Sequence, residues 1–146
     1  MYSYRKATAD DLKTVADLAV KLYIDHSYSE IYGEISVLLS KKSEGIWLCF
    51  TGGFPAAFAH ASLRTDYVEG TSGGIIGYLE GIYVIPEYRK NNIARELIAI
   101  CEDWARENGC SEFASDCPVD NTASLNFHLK TGFKEAGRII CFTKKL

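Results

Sequence analysis

The sequence predicts an α/β (α+β) fold: a mixed, mostly antiparallel central sheet flanked by about four helices. Three observations point there. Short β-rich runs stand at residues 2–6, 46–50, 54–64 and 75–84. Four stretches carry apolar residues at helical spacing, and the one at residues 94–108 has the clearest amphipathic face. Nothing in the chain reads as a linker, so residues 1–146 are expected to form one domain.

Taken in order, residues 2–6 alternate and open a strand. Asp10 or Asp11 can cap a helix whose apolar positions are Leu12, Val15, Leu18, Ala19 and Leu22. Residues 30–40 read as a shorter helix ending near Lys41 and Lys42. Residues 46–50 and 54–64 are strands joined by a turn at Gly52 and Gly53. A polar loop at 65–74 leads to the strand 75–84. The helix at 94–108 aligns Leu97, Ile98, Cys101, Trp104 and Ala105, and Gly109 suits the position just past its end. A short strand at 112–116 and a helix at 121–130, stopped at Gly132, follow. Segments near Phe133 and at 138–143 are expected to complete the sheet.

Composition bounds the function. A chain of 146 residues with 47% apolar and 24% charged residues can bury a sizeable core. A net charge of -3 argues against general nucleic-acid binding. No apolar run reaches membrane-span length, and the first residues lack the apolar centre of a signal peptide. Five scattered cysteines without a Cys-x-x-Cys pair suit reduced thiols in a cytoplasmic protein; no metal site is expected.

The chemistry concentrates between Tyr78 and Leu97. A strand runs into a small-residue loop and then into a helix, and the first backbone N–H groups of a helix have no intrahelical partner. Arg89 and Lys90 add positive charge there, so the expected guest is a phosphate or pyrophosphate. Glu80 lies inside the preceding strand, a costly place for a carboxylate unless it is used or paired, for example with Arg64 across the sheet. Glycine-rich nucleotide loops of the P-loop and dinucleotide types are absent.

The segment Arg89-Lys90-Asn91-Asn92-Ile93-Ala94 resembles the [RQ]-x-x-G-x-[GA] signature of the GCN5-related N-acetyltransferase (GNAT) superfamily, which holds the pyrophosphate of acetyl-CoA. Asn92 replaces the glycine; asparagine is a non-glycine residue that readily takes positive φ. Residues 121–133, from Asn121 through His128 to Gly132-Phe133, resemble the family's second cofactor segment. Residues 61–70, 79–86 and 114–122 are similar to the aminoglycoside 6′-N-acetyltransferases.

The resemblance implies the acetyltransferase fold and an enzyme using acetyl-CoA. It implies cofactor contacts from the backbone of Ile82, Tyr83 and Val84, from the loop Arg89, Lys90, Asn91, Asn92, Ile93, Ala94 and Arg95, and from Asn121. It places Tyr23, Tyr67, Glu80 and Asp116 at the acceptor; Asp66 and Glu69 would add to an acidic pocket suited to a polycation. An amine must lose a proton before it attacks a thioester. Glu80 is the expected base, its pKa raised by partial burial. A backbone N–H at 82–84 would meet the oxyanion, and His128 stands where many relatives have a tyrosine acid.

The implied acceptor is a polycationic small molecule, foremost an aminoglycoside. The alternatives are a polyamine, a metabolite amine, a protein α-amine, or CoA binding without catalysis. Gly137 stands where resistance enzymes of this kind often have a carboxylate. A homodimer is a further expectation from the resemblance.

Overall fold

The computed structural model describes residues 1–146. Five strands, β1 (Tyr2–Lys6), β2 (Glu44–Thr51), β3 (Phe54–Arg64), β4 (Ile76–Val84) and β5 (Phe113–Ser115), stand in the sheet in that order. The first three pairings, β1–β2, β2–β3 and β3–β4, are antiparallel. The last, β4–β5, is parallel and covers only Gly77 to Leu79 against Phe113 to Ser115. The helices are α1 (Leu12–Leu22), α2 (Tyr28–Leu38), α3 (Ile93–Glu107) and α4 (Thr122–Lys130).

Strand alternation divides the core into two layers. Ile46, Leu48 and Phe58 face α1 and α2, meeting Val15, Leu18, Ala19, Ile31 and Ile35. Trp47, Cys49, Ala57, Ala59 and Ala61 face the other way, meeting Ile93, Leu97 and Cys101 of α3. The small residues on β3 let α3 approach closely, and the helix buries the stripe its spacing predicts.

Two departures from ladder regularity matter. His60 is opposite Gly81 while Ala61 is opposite Leu79, so Glu80 is the extra residue of a β-bulge. Bulges re-aim a side chain without ending the strand, and this one turns Glu80 towards Ser62 and Arg64. In addition, β5 ends at Ser115, so β4 parts from it after Leu79.

Element boundaries fall within about two residues of the sequence reading, with one correction. No strand forms after α4. Residues 134–146 make no backbone hydrogen bond and are exposed, including Ile139, Ile140 and Phe142. Their β propensity is real, but a strand needs a partner edge, and this segment meets none within its own chain.

The entry to α1 is fixed by Asp11. Its carboxylate accepts two bonds from the Arg5 guanidinium at 2.8 Å each and one from the Thr8 backbone N–H at 2.8 Å. That ties β1 to the helix that carries Tyr23. The Arg5 hydrogen bonds, set against burial that alone would raise it, hold the Asp11 carboxyl at about 2. A depressed folded pKa gives stability that is present above the unfolded carboxylate value and lost as pH falls through the folded one. Asp11→Asn should therefore cost on the order of 2 kcal/mol at neutral pH. In denaturant titrations the gap between variant and parent should close between about pH 4 and pH 2; a gap independent of pH would refute this assignment.

Candidate active site

The anion loop sits between β4 and α3. Asn92 is left-handed at φ 62 and Lys90 at φ 66, so the chain reverses twice in three residues. Asn92 is the N-cap of α3, but its side chain makes no capping bond. Asn91 turns its amide back onto the Tyr88 and Arg89 carbonyls. The backbone N–H groups of Lys90, Asn91, Asn92, Ile93, Ala94 and Arg95 donate to nothing in the protein. Six consecutive free donors at the start of a 15-residue helix form an anion cradle built from main chain. The Arg89 side chain is committed elsewhere: Nε donates to the Val84 carbonyl at 2.8 Å, and the guanidinium lies over the Tyr83 ring. Arg89 thus braces the turn, while Lys90 remains exposed.

Beside the cradle, β4 runs free of β5. The Ile85 N–H donates to Ala56 on β3, so strand alternation turns the Ile82 and Val84 N–H groups to the open side. They have no β5 partner, because the parallel pairing stopped at Leu79. An extended polar arm lying in this gap would find backbone partners.

On the α1/α2 side, Tyr23, Ile31, Glu34, Ile35, Leu38, Phe58, His60 and Glu80 line a cleft of about 260 Å³. The Tyr23 ring leans over Gly81, where any side chain would collide with its hydroxyl. Burial, and then the charges of Glu80 and Glu34, push the Tyr23 hydroxyl up to about 12, so it remains a neutral donor.

Glu80 requires a correction. Burial acts to raise its pKa, as the sequence suggested, but its partners act more strongly the other way. Ser62 Oγ donates to Oε2 at 2.5 Å, and Arg64 donates through Nε at 3.0 Å and Nη2 at 2.7 Å. The carboxyl is held below its ordinary value. It is a fixed anion, unsuited to act as a base near neutral pH. Arg64 also stacks on the Tyr78 ring at 3.5 Å, and the Tyr78 hydroxyl donates to Asp116. One chain of contacts therefore joins Glu80 on β4 to Asp116 just beyond β5. Arg64 was legible as a possible partner; Ser62 and Tyr78 were not, because their roles depend on register.

The remaining candidates divide. His128 Nδ1 donates to the Ser124 carbonyl at 2.7 Å, and Nε2 meets Ser115 Oγ at 2.9 Å. Both nitrogens are engaged and the ring packs on Phe127 and Phe133, so the geometry makes His128 a brace between α4 and β5 and does not support the acid role. Asn121 caps α4 by accepting from the Ser124 N–H at 3.0 Å. Tyr67, 82% exposed, donates to Glu69 on the loop after β3, and no hydrogen bond or ion pair joins it or Asp66 to Glu80, Asp116 or Tyr23. At position 137 a side chain would start 3.4 Å from the Glu69 carboxylate, so Glu69 already supplies charge beside Gly137.

A free-donor cradle, a parted strand pair and an acidic cleft are the parts that an acyl-group transferase site would need. Residues 11–133 match the acetyltransferase (GNAT) family, and the chain belongs to that family. It is 37% identical over 142 residues to an aminoglycoside N(6′)-acetyltransferase type 1 of Acinetobacter haemolyticus, covering 97% of each chain. It is 34% identical to the Stenotrophomonas maltophilia enzyme of the same name, over 97% of this chain and 92% of that one. Among solved structures, AAC(6′)-Iy in complex with the bisubstrate analogue CoA-S-monomethyl-acetylneamine superimposes with a TM-score of 0.95 at 30% identity, covering 100% and 99% of the two chains. The apo AAC(6′)-IG of A. haemolyticus superimposes at 0.94 with 35% identity, covering 99% of each.

Ala94 lies in the second turn-forming position of α3, where a larger side chain would fill the cradle. Ala94→Glu should weaken CoA binding at least tenfold by bulk and like-charge repulsion, a loss of about 1.4 kcal/mol or more. Calorimetry checks this; unchanged affinity would place the cofactor elsewhere.

Proposed function

We propose that this chain, acting as one domain, transfers the acetyl group of acetyl-CoA to the 6′-amine of an aminoglycoside by direct attack. The observation that carries this reading is the Glu80–Arg64–Tyr78–Asp116 chain, which sets two carboxylates beside the parted strands. The similarity to enzymes named for that reaction supports it.

Acetyl-CoA supplies an activated thioester. The residues that would hold it are the free N–H groups of Lys90 to Arg95 on the pyrophosphate and the Ile82 and Val84 backbone along the arm. One N–H of that open stretch would face the carbonyl oxygen as charge develops there. Glu80 and Asp116 attract and orient the acceptor's ammonium groups, with Tyr23 closing the opposite wall. Glu34 and Glu69 extend the acidic surface, which suits a polycation better than a monoamine. Solvent can protonate the departing thiolate. Cys49, Cys101, Cys110, Cys117 and Cys141 are all unpaired, which fits a reducing cytoplasm, and no helix is long and apolar enough to cross a membrane.

The test is direct. With acetyl-CoA and a kanamycin-type acceptor the protein should release free CoA and yield a product acetylated on the 6′-nitrogen, identified by NMR. Expression in a susceptible bacterium should raise the tolerated drug concentration. Turnover with monoamines or polyamines but not with aminoglycosides would overturn the acceptor; no turnover with any amine would leave a CoA-binding domain.

The reading includes a homodimer. Residues 134–146 present Ile139, Ile140 and Phe142 without a partner, β5 has an unpaired outer edge, and α4 buries no residue. A second copy is the occupant that would satisfy all three, each tail adding a strand beside the other's β5. Light scattering should give about twice 16.2 kDa, and Ile140→Lys with Phe142→Lys should give the monomer. A parent that stays monomeric at micromolar concentration would exclude the exchange.

A further inference from the structure

We propose that His60, oriented by Glu44, is the group that takes the proton from the acceptor's ammonium; this rests on the N-acetyltransfer reading above. His60 lies on β3 two residues from Phe58, so both side chains point into the cleft that Glu80 lines. Its Nε2 is 2.8 Å from Glu44 Oε1, and both side chains are largely buried, 10% and 14% exposed. A carboxylate can only accept, so Nε2 carries the hydrogen and the lone pair of the neutral ring is on Nδ1. Nδ1 has no hydrogen-bond partner in the protein, and no buried polar side-chain atom is left without one. Nδ1 therefore opens on accessible space, and the cleft is the space that His60 lines. This is the arrangement of a carboxylate-held imidazole base.

The other titratable groups in the cleft do not offer the same chemistry. Glu80, on β4, already accepts from Ser62 and Arg64 and is held as an anion. Tyr23, at the end of α1, stays neutral because its hydroxyl is pushed up to about 12. Glu34 on α2 is exposed at the mouth. Glu44 on β2 is occupied by Nε2. Three carboxylates and no free cation face the ring, since Arg64 is spent on Glu80. In the step, the ammonium N–H bond breaks and its proton goes to Nδ1, directly or through one water. The freed nitrogen lone pair then forms the C–N bond to the thioester carbonyl carbon, the C–S bond breaks, and sulfur leaves with its electron pair. A second proton from the nitrogen balances that thiolate through solvent.

The experiment is the pH profile of kcat/KM with acetyl-CoA and a kanamycin-type acceptor for the parent, His60→Gln and Glu44→Gln. The parent should show an ascending limb set by an imidazole. His60→Gln should lose that limb and about 10²-fold in kcat, the usual scale of a general base. CoA affinity by calorimetry should be unchanged, which also reports that the variant is folded. Glu44→Gln keeps the ring but replaces the carboxylate that orients it, so kcat should fall, by less than in His60→Gln, with the acceptor KM little changed. A His60→Gln enzyme that keeps the limb and loses less than about threefold in rate would overturn the proposal. If His60→Gln does not fold, Glu44→Gln decides alone: a kcat within about threefold of the parent refutes the proposal, and a larger fall in kcat at unchanged acceptor KM supports it. Failure of the parent to acetylate an aminoglycoside would refute the acceptor assignment instead, and the same variants would then be compared on whichever amine it does acetylate.

Discussion

The rest of this site depends on the brevity of the β4–β5 pairing. Three residues on each strand are joined, and then the strands separate. Main-chain donors of β4 that would otherwise be consumed in a ladder become available at the centre of the protein, where side-chain donors would be costly to bury. The antiparallel pairing with β3 continues to Val84, so the freed strand keeps its shape. That rigidity allows the loop after it to hold two left-handed residues in fixed positions. A sheet fully paired on both sides would leave neither the gap nor the turn.

Electrostatics then divide the work among residues that sequence alone treats as equivalent. Glu80 and Glu44 are both strand carboxylates within reach of cations. The bulge gives Glu80 to Ser62 and Arg64 and makes it a permanent charge. The register of β2 on β3, unbroken from Glu44 to Cys49, gives Glu44 to His60. One carboxylate is thereby suited to hold a cation, the other to orient a titratable ring. Burial raises the pKa of a lone carboxyl, but paired hydrogen bonds reverse that effect when the partner is a guanidinium.

Much of this was legible in the sequence, for identifiable reasons. The α3 stripe and the small-residue loop before it are local patterns, so residues 89–95 could be placed without a fold. Asn92 signalled its backbone conformation through its type; Lys90 gave no such signal, because its positive φ is imposed by the turn. Glu80 drew notice as a charge in an apolar strand. What escaped was non-local. His60 and Glu44 are 16 positions apart and meet only because the hairpin register aligns them diagonally. Ser62 and Tyr78 acquire roles through the bulge, which has no sequence mark. The run at 138–143 was expected to complete the sheet and forms no strand: a strand is a relation between two chains of atoms, and one chain's sequence names only half of it.

The loop before α3 offers a guest main-chain N–H groups. Such donors read negative charge and tetrahedral shape; they carry no information about a nucleotide base or a thiol arm. Free phosphate and sulfate share both properties, so a cradle of this kind would admit them in competition with a phosphate-bearing cofactor. The rate would then depend on the anion content of the surrounding solution, with inorganic phosphate acting at the cofactor's own site.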